Sequence, residues 1–554
     1  MVYYLELVEN GIDLNSTNSN PKAKLKIISD PPTKFKCSCT EQIEVSYRAI
    51  VTNMINVVER KLCATITNGY FQFVIPQNTT GIEITVNAPN GCNCFTILKL
   101  YHPSNCKLDF QANLLSTRLT FITANRTAND FTGFDHGLNP GDQLGPGRSS
   151  RAMAIVNIAM FEAVNAIIRK YNSYLNLPIG SSNASKEAAI IQAMNDTLYE
   201  LFPQQRPKLS SIYNNLMNQI PNGISKTLGI NIGKNSALTI WNLRQADPIY
   251  DTDQLIGLGP NDYHEGNTAG SWTKDPISNI PMAIGSKWAD LIPTFAIANA
   301  SVYRCPALPS LNSDYYTMSF DEVKSVGGDG INTPTTRSSL ETFIGNFWAY
   351  DGTPSLCAPP RLYNQIVLQV ALQYGIETLD LIRLLALVNI GMADAGISAW
   401  ESKYYYNFWR PIGGIRDSPA SDSNPNTVED PNWHPLGAPA SNTNNVNFTP
   451  PFPAYPSGHA TFGATIFQIL RRFFGKDNVP FTFVSDEYNG ITKDNNGMVR
   501  PYLPRSYNNF SDAEEENGQS RMYLGIHWNF DKTEGVVMGH KVGNYIFDNV
   551  FTKL

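Results

Sequence analysis

Three short stretches carry side chains whose types and spacing suit one task, the capture of an oxoanion with proton transfer beside it. They read WESKYYYNFWRP from Trp400 to Pro411, PPFPAYPSGHATFG from Pro450 to Gly463, and SRMYLGIHWNFD from Ser520 to Asp531. Between them they supply Lys403, Arg410 and Arg521 as cations and His459 and His527 as imidazoles.

Lys403 and Arg410 stand seven residues apart, close to two helical turns. That spacing predicts both on one face of a helix, roughly 10 Å apart along its axis, with Pro411 ending the helix. Trp400, Tyr404, Tyr405, Phe408 and Trp409 surround the pair. Such flanks favour burial, and a buried cation needs a partner. In the second stretch a proline-stiffened approach ends on Ser457-Gly458-His459, just where small apolar residues begin a helix. A helix start offers free N–H groups and the positive end of a dipole to an anion. Gly458 lets backbone approach a ligand, Ser457 can cap the helix or donate its hydroxyl, and His459 can carry a proton. In the third stretch Arg521 adds a guanidinium and His527 a second imidazole. Asp531, four residues after His527, is spaced to hold that ring's other nitrogen. His102, His136, His264 and His540 are read as structural or surface residues, and His434, in a loop upstream of PSGH, only weakly as a neighbour of the site.

In this order, K-x6-RP, PSGH and SR-x5-H-x3-D resemble the three motifs shared by type 2 phosphatidic-acid-phosphatase-like acid phosphatases and vanadium-dependent haloperoxidases. The wider sequence is similar to the haloperoxidases, on the chloroperoxidase side, through NFWAYDG, PPRLYNQIV, DAGISAW, FWRPIGGIRD and PPFPAYPSGHATFG, and more faintly back to about residue 130. The first 115 or so residues carry no such resemblance. The resemblance implies vanadate as cofactor, bound through His527 as the metal ligand. Lys403, Arg410, Ser457, Gly458 and Arg521 would hydrogen-bond its oxygens. It implies His459 as acid–base residue, Lys403 as the cation that activates the bound oxidant, and Asp351 as the carboxylate paired with the second arginine. Trp400 and Phe452 match aromatics near the halide position, and Phe452 stands where bromoperoxidases resemble one another in having histidine. The implied reaction is oxidation of halide by hydrogen peroxide to hypohalous acid, which halogenates a small organic acceptor.

The same residues support a second chemistry. In an acid phosphatase His527 would attack phosphorus, Asp531 would orient it, and His459 would protonate the leaving alcohol. The aromatic neighbours and the extended resemblance favour the haloperoxidase. A third reading makes the N-terminal region a binding or attachment module on an inactive scaffold, and the completeness of the three motifs speaks against it.

These residues need a frame. With 554 residues, 42% hydrophobic and 16% charged, the chain has the composition of a globular protein of more than one domain. A net charge of −6 argues against nucleic acid as a partner. No run of about 18 uninterrupted apolar residues is present, and the opening MVYYLELVENG lacks the pattern of a signal peptide. The expectation is therefore no membrane segment, with residence in the cytoplasm or release by another route. A homo-oligomer is left open.

Residues 1–115 read as a small β-rich module, with FQFVIP and IEITVNAP alternating in polarity between turn signals. Cys37, Cys39, Cys63, Cys92, Cys94 and Cys106 all fall there, as free thiols, disulfides or, least well by spacing, a metal cluster. Residues 116–554 read as mainly α, a helical-bundle catalytic domain. The Asn-, Gly- and Asp-rich segment at 116–148 reads as a loop. Long polar loops are expected near 304–335, 415–450 and 476–515, where they could form a site mouth.

Overall fold

The computed structural model describes residues 116–554, apart from 140, 249–264, 267, 281, 283 and 418–421, together with the backbone of eight strands within the first 112 residues. In that N-terminal region β1 (Val2–Leu7), β2 (Lys22–Asp30) and β5 (Tyr70–Val74) pair in the order β1-β2-β5. Five others pair in the order β4-β3-β6-β7-β8, namely β3 (Ile43–Val51), β4 (Val58–Ala64), β6 (Thr79–Asn87), β7 (Thr96–Tyr101) and β8 (Asp109–Ala112). Every pairing is antiparallel. Strands β5 and β6 fall on FQFV and IEITVN, the stretches of alternating polarity. The side chains of the six N-terminal cysteines and of His102 and His264 lie outside the described residues.

The rest of the described chain is mainly helical, with long loops and one antiparallel pair of three-residue strands at Phe481–Phe483 and Arg505–Tyr507. A first group comprises α1 (Thr117–Asp135), α2 (Gly145–Ile168), α3 (Lys186–Leu201), α4 (Arg206–Met217) and α5 (Ile224–Arg244). The second comprises α6 (Asp314–Val326), α7 (Ser339–Phe347), α8 (Pro359–Gln373), α9 (Thr378–Tyr406), α10 (Pro411–Asp417), α11 (Gly458–Phe474), α12 (Phe510–Tyr523) and α13 (Asn529–Asn549). Central helix α9 packs on α2, α8, α11 and α13. Its Leu381, Leu384, Leu385, Val388 and Met392 are fully buried, and each large aliphatic side chain so removed from water contributes about 1.5–3 kcal/mol. By length and composition α2 and α9 could each cross a bilayer, yet 94% and 100% of their most apolar stretches are buried within the body. They are core helices.

Two expectations fail here. Residues 117–135 form a helix, not a loop. Ser116 caps it by accepting from the Leu119 N–H, and Phe121, Ile122, Ala124, Ala128 and Phe131 are buried. The asparagines that suggested a loop are instead internal. Asn125 bonds Asn157 of α2 and exchanges hydrogen bonds with Asn364 of α8, and Asn129 exchanges bonds with the Arg361 backbone and guanidinium. Tertiary partners override the weak propensity of asparagine for helix. Likewise the expected 304–335 loop contains α6, capped by Ser313.

Helices α11 and α13 carry the closest helix–helix approach relevant to the site. A Cβ at Gly539 would stand 2.5 Å from the Thr461 carbonyl oxygen and 2.7 Å from the Ala464 Cβ, and one at Gly535 would stand 2.8 Å from the Ser457 carbonyl oxygen. Absence of a side chain there brings the start of α13 against the start of α11.

Candidate active site

Each motif sits where a helix begins or ends. Lys403 lies in the last turn of α9, which stops at Asn407, a left-handed residue (φ 51°) whose N–H bonds the Lys403 carbonyl. Arg410 follows in the connection, and Pro411 opens α10 rather than closing α9. The expectation of Lys403 and Arg410 on one helical face is therefore overturned. The corner at Asn407 turns the chain, a conformation asparagine tolerates better than most residues. Ser457 is the N-cap of α11 and its Oγ accepts from the Ala460 N–H at 3.4 Å, with Gly458 and His459 in the first turn. Arg521 lies in the last turn of α12. The chain then breaks at Gly525 (φ 70°) and passes through His527 into α13.

His527 donates from Nδ1 to Oδ2 of Asp531 at 2.8 Å, and the same oxygen accepts the Trp528 N–H at 3.0 Å, closing the first turn of α13. With Nδ1 protonated, the lone pair is on Nε2. That nitrogen meets Arg410 Nη1 at 2.8 Å. Arg410 is further fixed by Nε to the Phe452 carbonyl (2.9 Å) and Nη1 to the Ile526 carbonyl (2.9 Å). Arg521 donates from Nη2 to Asp351 Oδ1 at 2.7 Å. His459 donates from Nε2 to the Ala349 carbonyl at 2.5 Å, which leaves its Nδ1 as the basic nitrogen. Lys403 Nζ donates to the carbonyls of Pro453 (3.0 Å), Ala454 (2.8 Å) and Pro456. All three of its N–H bonds are thus engaged by the loop before α11, and it would have to release one to bond an oxoanion directly. Trp400 packs on Phe452 with ring centres 4.9 Å apart, and Lys403 Nζ lies 5.5 Å and 5.4 Å from those two rings.

The basic side chains share one buried site, and burial and mutual repulsion depress the two imidazoles, Lys403 and Arg410. Burial, followed by the charges of Arg410, Lys403 and Arg521, holds His527 well below the ordinary histidine range. Burial and then Arg521 do the same to His459. Burial and then Arg410 lower Lys403, and burial brings Arg410 down to about 9. Burial raises Asp351 and lifts Asp531 to about 7. Both imidazoles are therefore neutral at pH 7, and positive charge accumulates without enough anion to answer it.

The orphaned donors say what is missing. Arg410 Nη2 and Arg521 Nε and Nη1 are buried without a hydrogen-bond partner, a costly state unless a ligand answers it. Among the described residues no group of three or more His, Cys, Asp or Glu is arranged to hold a metal ion. Guanidinium donors beside neutral imidazoles do not suit a bare cation. They suit an oxoanion whose central atom accepts one nitrogen.

Some contributors were not anticipated. Tyr363 Oη and Asn517 Nδ2 both donate to the His459 carbonyl, at 2.9 Å and 3.0 Å, holding the first turn of α11 against α8 and α12. Asn517 lies one helical turn before Arg521, a spacing visible in the sequence. His434 bonds Asn432, Thr333 and Asp329 and none of the site residues. His540 pairs with Glu514, and His136 bonds the Thr132 carbonyl and the Gly145 N–H, so both are structural.

Fold and site together define a helical-bundle protein with a buried, donor-rich site whose chemistry suits an oxoanion. The family described as VCPO second helical-bundle domain matches residues 383–553, which span all three motifs. Vanadium chloroperoxidase of Curvularia inaequalis is 39% identical over 240 residues, and the match covers 37% of this chain and 39% of that protein's length. Among solved structures, a bacterial vanadium-dependent iodoperoxidase superposes with a TM-score of 0.62 at 23% identity, covering 77% of this chain and 97% of that one. An apo-type bacterial vanadium-dependent chloroperoxidase gives 0.57 at 15% identity, covering 73% and 94%. The similarity to vanadium chloroperoxidase thus lies in this C-terminal bundle, and the chain spans well under half of that relative's length in the match.

Proposed function

We propose that the protein is a vanadate-dependent haloperoxidase, which uses hydrogen peroxide to oxidise halide to hypohalous acid and so halogenates small organic acceptors. One observation carries the reading: His527 Nε2 holds a lone pair, met by Arg410 Nη1 at 2.8 Å and released to a ligand only if that contact gives way, beside three buried guanidinium nitrogens that have no partner. Vanadate fits that set, held by His527 Nε2, by Arg410 and Arg521, and by the Ser457 hydroxyl and Gly458 N–H at the start of α11. Bound vanadate supplies a Lewis-acidic centre at which peroxide oxygen becomes electrophilic towards halide.

The chain's own residues do the rest. Asp531 keeps the proton on His527 Nδ1, so Nε2 keeps its lone pair for a ligand. Asp351 fixes Arg521. His459 Nδ1 takes the proton that peroxide loses and returns it to the leaving oxygen. Lys403 contributes its charge from behind the Pro453–Pro456 carbonyls, and directly once it gives one of them up. Trp400 and Phe452 form a dry, polarisable wall suited to a halide.

The test is halogenation of a monochlorinated dimedone by peroxide and halide, before and after adding vanadate, with vanadium content measured on the same protein. Vanadate-dependent turnover is expected. Phosphate-ester hydrolysis without it would assign the site to the phosphatase branch instead. We propose further that residues 1–115 form a separate β-rich module and 116–554 the catalytic domain. Removing the former should then leave vanadate-dependent turnover intact.

A further inference from the structure

A second cavity, of about 430 Å³, lies outside the oxoanion site. Its size is that of a small-molecule pocket. Leu436, Met498 and Val499 are among its apolar lining, and Asn346, Asn447, Tyr488, Asp494, Asn495 and Arg500 supply its polar groups. Tyr488 and Arg500 lie at the base, largely buried, whereas Met498 and Val499 are 64% and 54% exposed at the mouth.

The base is built around Arg500. Its Nη1 donates to Ser441 Oγ at 2.7 Å and to the Glu487 carboxylate. Nε and Nη2 have no partner among the described residues, and the guanidinium carbon stands 5.8 Å from the centre of the Tyr488 ring. Asp494, the other charged residue on the wall, turns Oδ1 to the N–H groups of Asn496 and Met498 in its own turn. The cavity therefore offers free guanidinium donors beside a flat ring, with apolar walls above.

It also adjoins the site. Glu487 lies within electrostatic reach of Asp351, the carboxylate that holds Arg521. Leu436 packs on the cluster containing Leu524 and Ile526, and the neighbouring Gly437 N–H bonds the Leu524 carbonyl. The cavity floor thus rests on the segment that joins Arg521 to His527.

We infer that this cavity binds a small planar organic molecule of the phenol or enol class, its oxygen accepting from Arg500 and its ring lying between Tyr488 and Val499. Calling that molecule the acceptor of the reaction rests on the haloperoxidase reading, whereas its binding does not. An acceptor held there stands behind the Arg500–Glu487–Asp351–Arg521 chain of side chains, where oxidised halogen leaving the site can reach it before water dilutes it.

The experiment is calorimetric titration of the full chain, with and without vanadate and in the absence of peroxide, using p-cresol as probe and toluene as a ring without oxygen. Saturable p-cresol binding is expected, at least tenfold weaker for toluene. A loss of tenfold or more is expected in Arg500→Gln, and again in Val499→Trp, which fills the mouth without touching the Arg500–Glu487 pair. Absence of saturable p-cresol binding, or unchanged binding in a folded Val499→Trp, overturns the inference. Vanadate-dependent iodide oxidation, followed as triiodide, separates the two claims. If it proceeds while p-cresol fails to bind, only this inference falls. If p-cresol binds and vanadate never supports iodide oxidation, only the proposed function falls.

Discussion

His527 and Asp531 stand one helical turn apart and share a 2.8 Å hydrogen bond, from Nδ1 to Oδ2, that decides which ring nitrogen keeps its lone pair. Losing such an orienting carboxylate commonly costs a metal site about 10–100-fold in affinity. Asp531→Ala is expected to weaken vanadate binding by that factor, and His527→Ala to abolish retention. Vanadium content after equilibrium dialysis measures both, and wild-type affinity in Asp531→Ala would remove the carboxylate from the design.

His459 touches the Ala349 carbonyl through one nitrogen and offers the other for proton transfer. Its replacement by alanine should leave vanadate bound and lower turnover by about 10²–10⁴-fold, the usual worth of a positioned acid–base group. A parallel fall in vanadium content and turnover would make the residue a ligand-holding group instead.

Asp351 and Arg521 form an ion pair with side chains 6% and 0% exposed. Breaking a buried pair on one side typically costs about 3–5 kcal/mol. Asp351→Ala should therefore melt earlier, and added vanadate should restore part of the loss by giving Arg521 a new partner. Chemical denaturation with and without vanadate reads both effects.

Burial lifts Glu487 from its ordinary 4.5 to about 7, against the lowering effect of Arg500. Between those values the folded protein holds a proton that the unfolded chain has released. Stability contributed by this group is therefore full below about pH 4.5 and is lost as pH rises towards 7. Glu487→Gln carries no such proton, so the fall in melting temperature across this window should flatten. Arg500, Ser441 and Asp351 face the group and are unchanged in that variant.

Gly539 admits α11 to the surface of α13 with no room for a methyl group. Overpacking of this kind costs about 1–3 kcal/mol. Gly539→Ala should lower stability by that amount and weaken vanadate binding as well, because the starts of both helices carry site residues. Unfolding curves and vanadate titration of one preparation test the link.

The identities of the site residues are legible in the amino-acid sequence, because three motifs with fixed internal spacing leave few alternatives. Their placement is less so. Lys403 and Arg410 match helical periodicity, and only the left-handed turn at Asn407 shows that they belong to different elements. Helix α1 is hidden because Asn125 and Asn129 look like loop residues until their partners in α2 and α8 are known. Tyr363 and Asn517 act through the backbone of His459, a contact that no single motif contains. Arg500 and Glu487 lie in an irregular stretch whose periodicity says nothing of burial.

The bend at Asn407 gives the spacing in K-x6-RP a different meaning. On a continuous helix seven residues would record pitch, and lengthening the interval by a full turn would restore the same face. Around a corner the interval is a tether of fixed reach, linking an ammonium anchored at the end of one rod to a guanidinium delivered at the start of the next. No added length, whole turn or not, brings that guanidinium back to the same point.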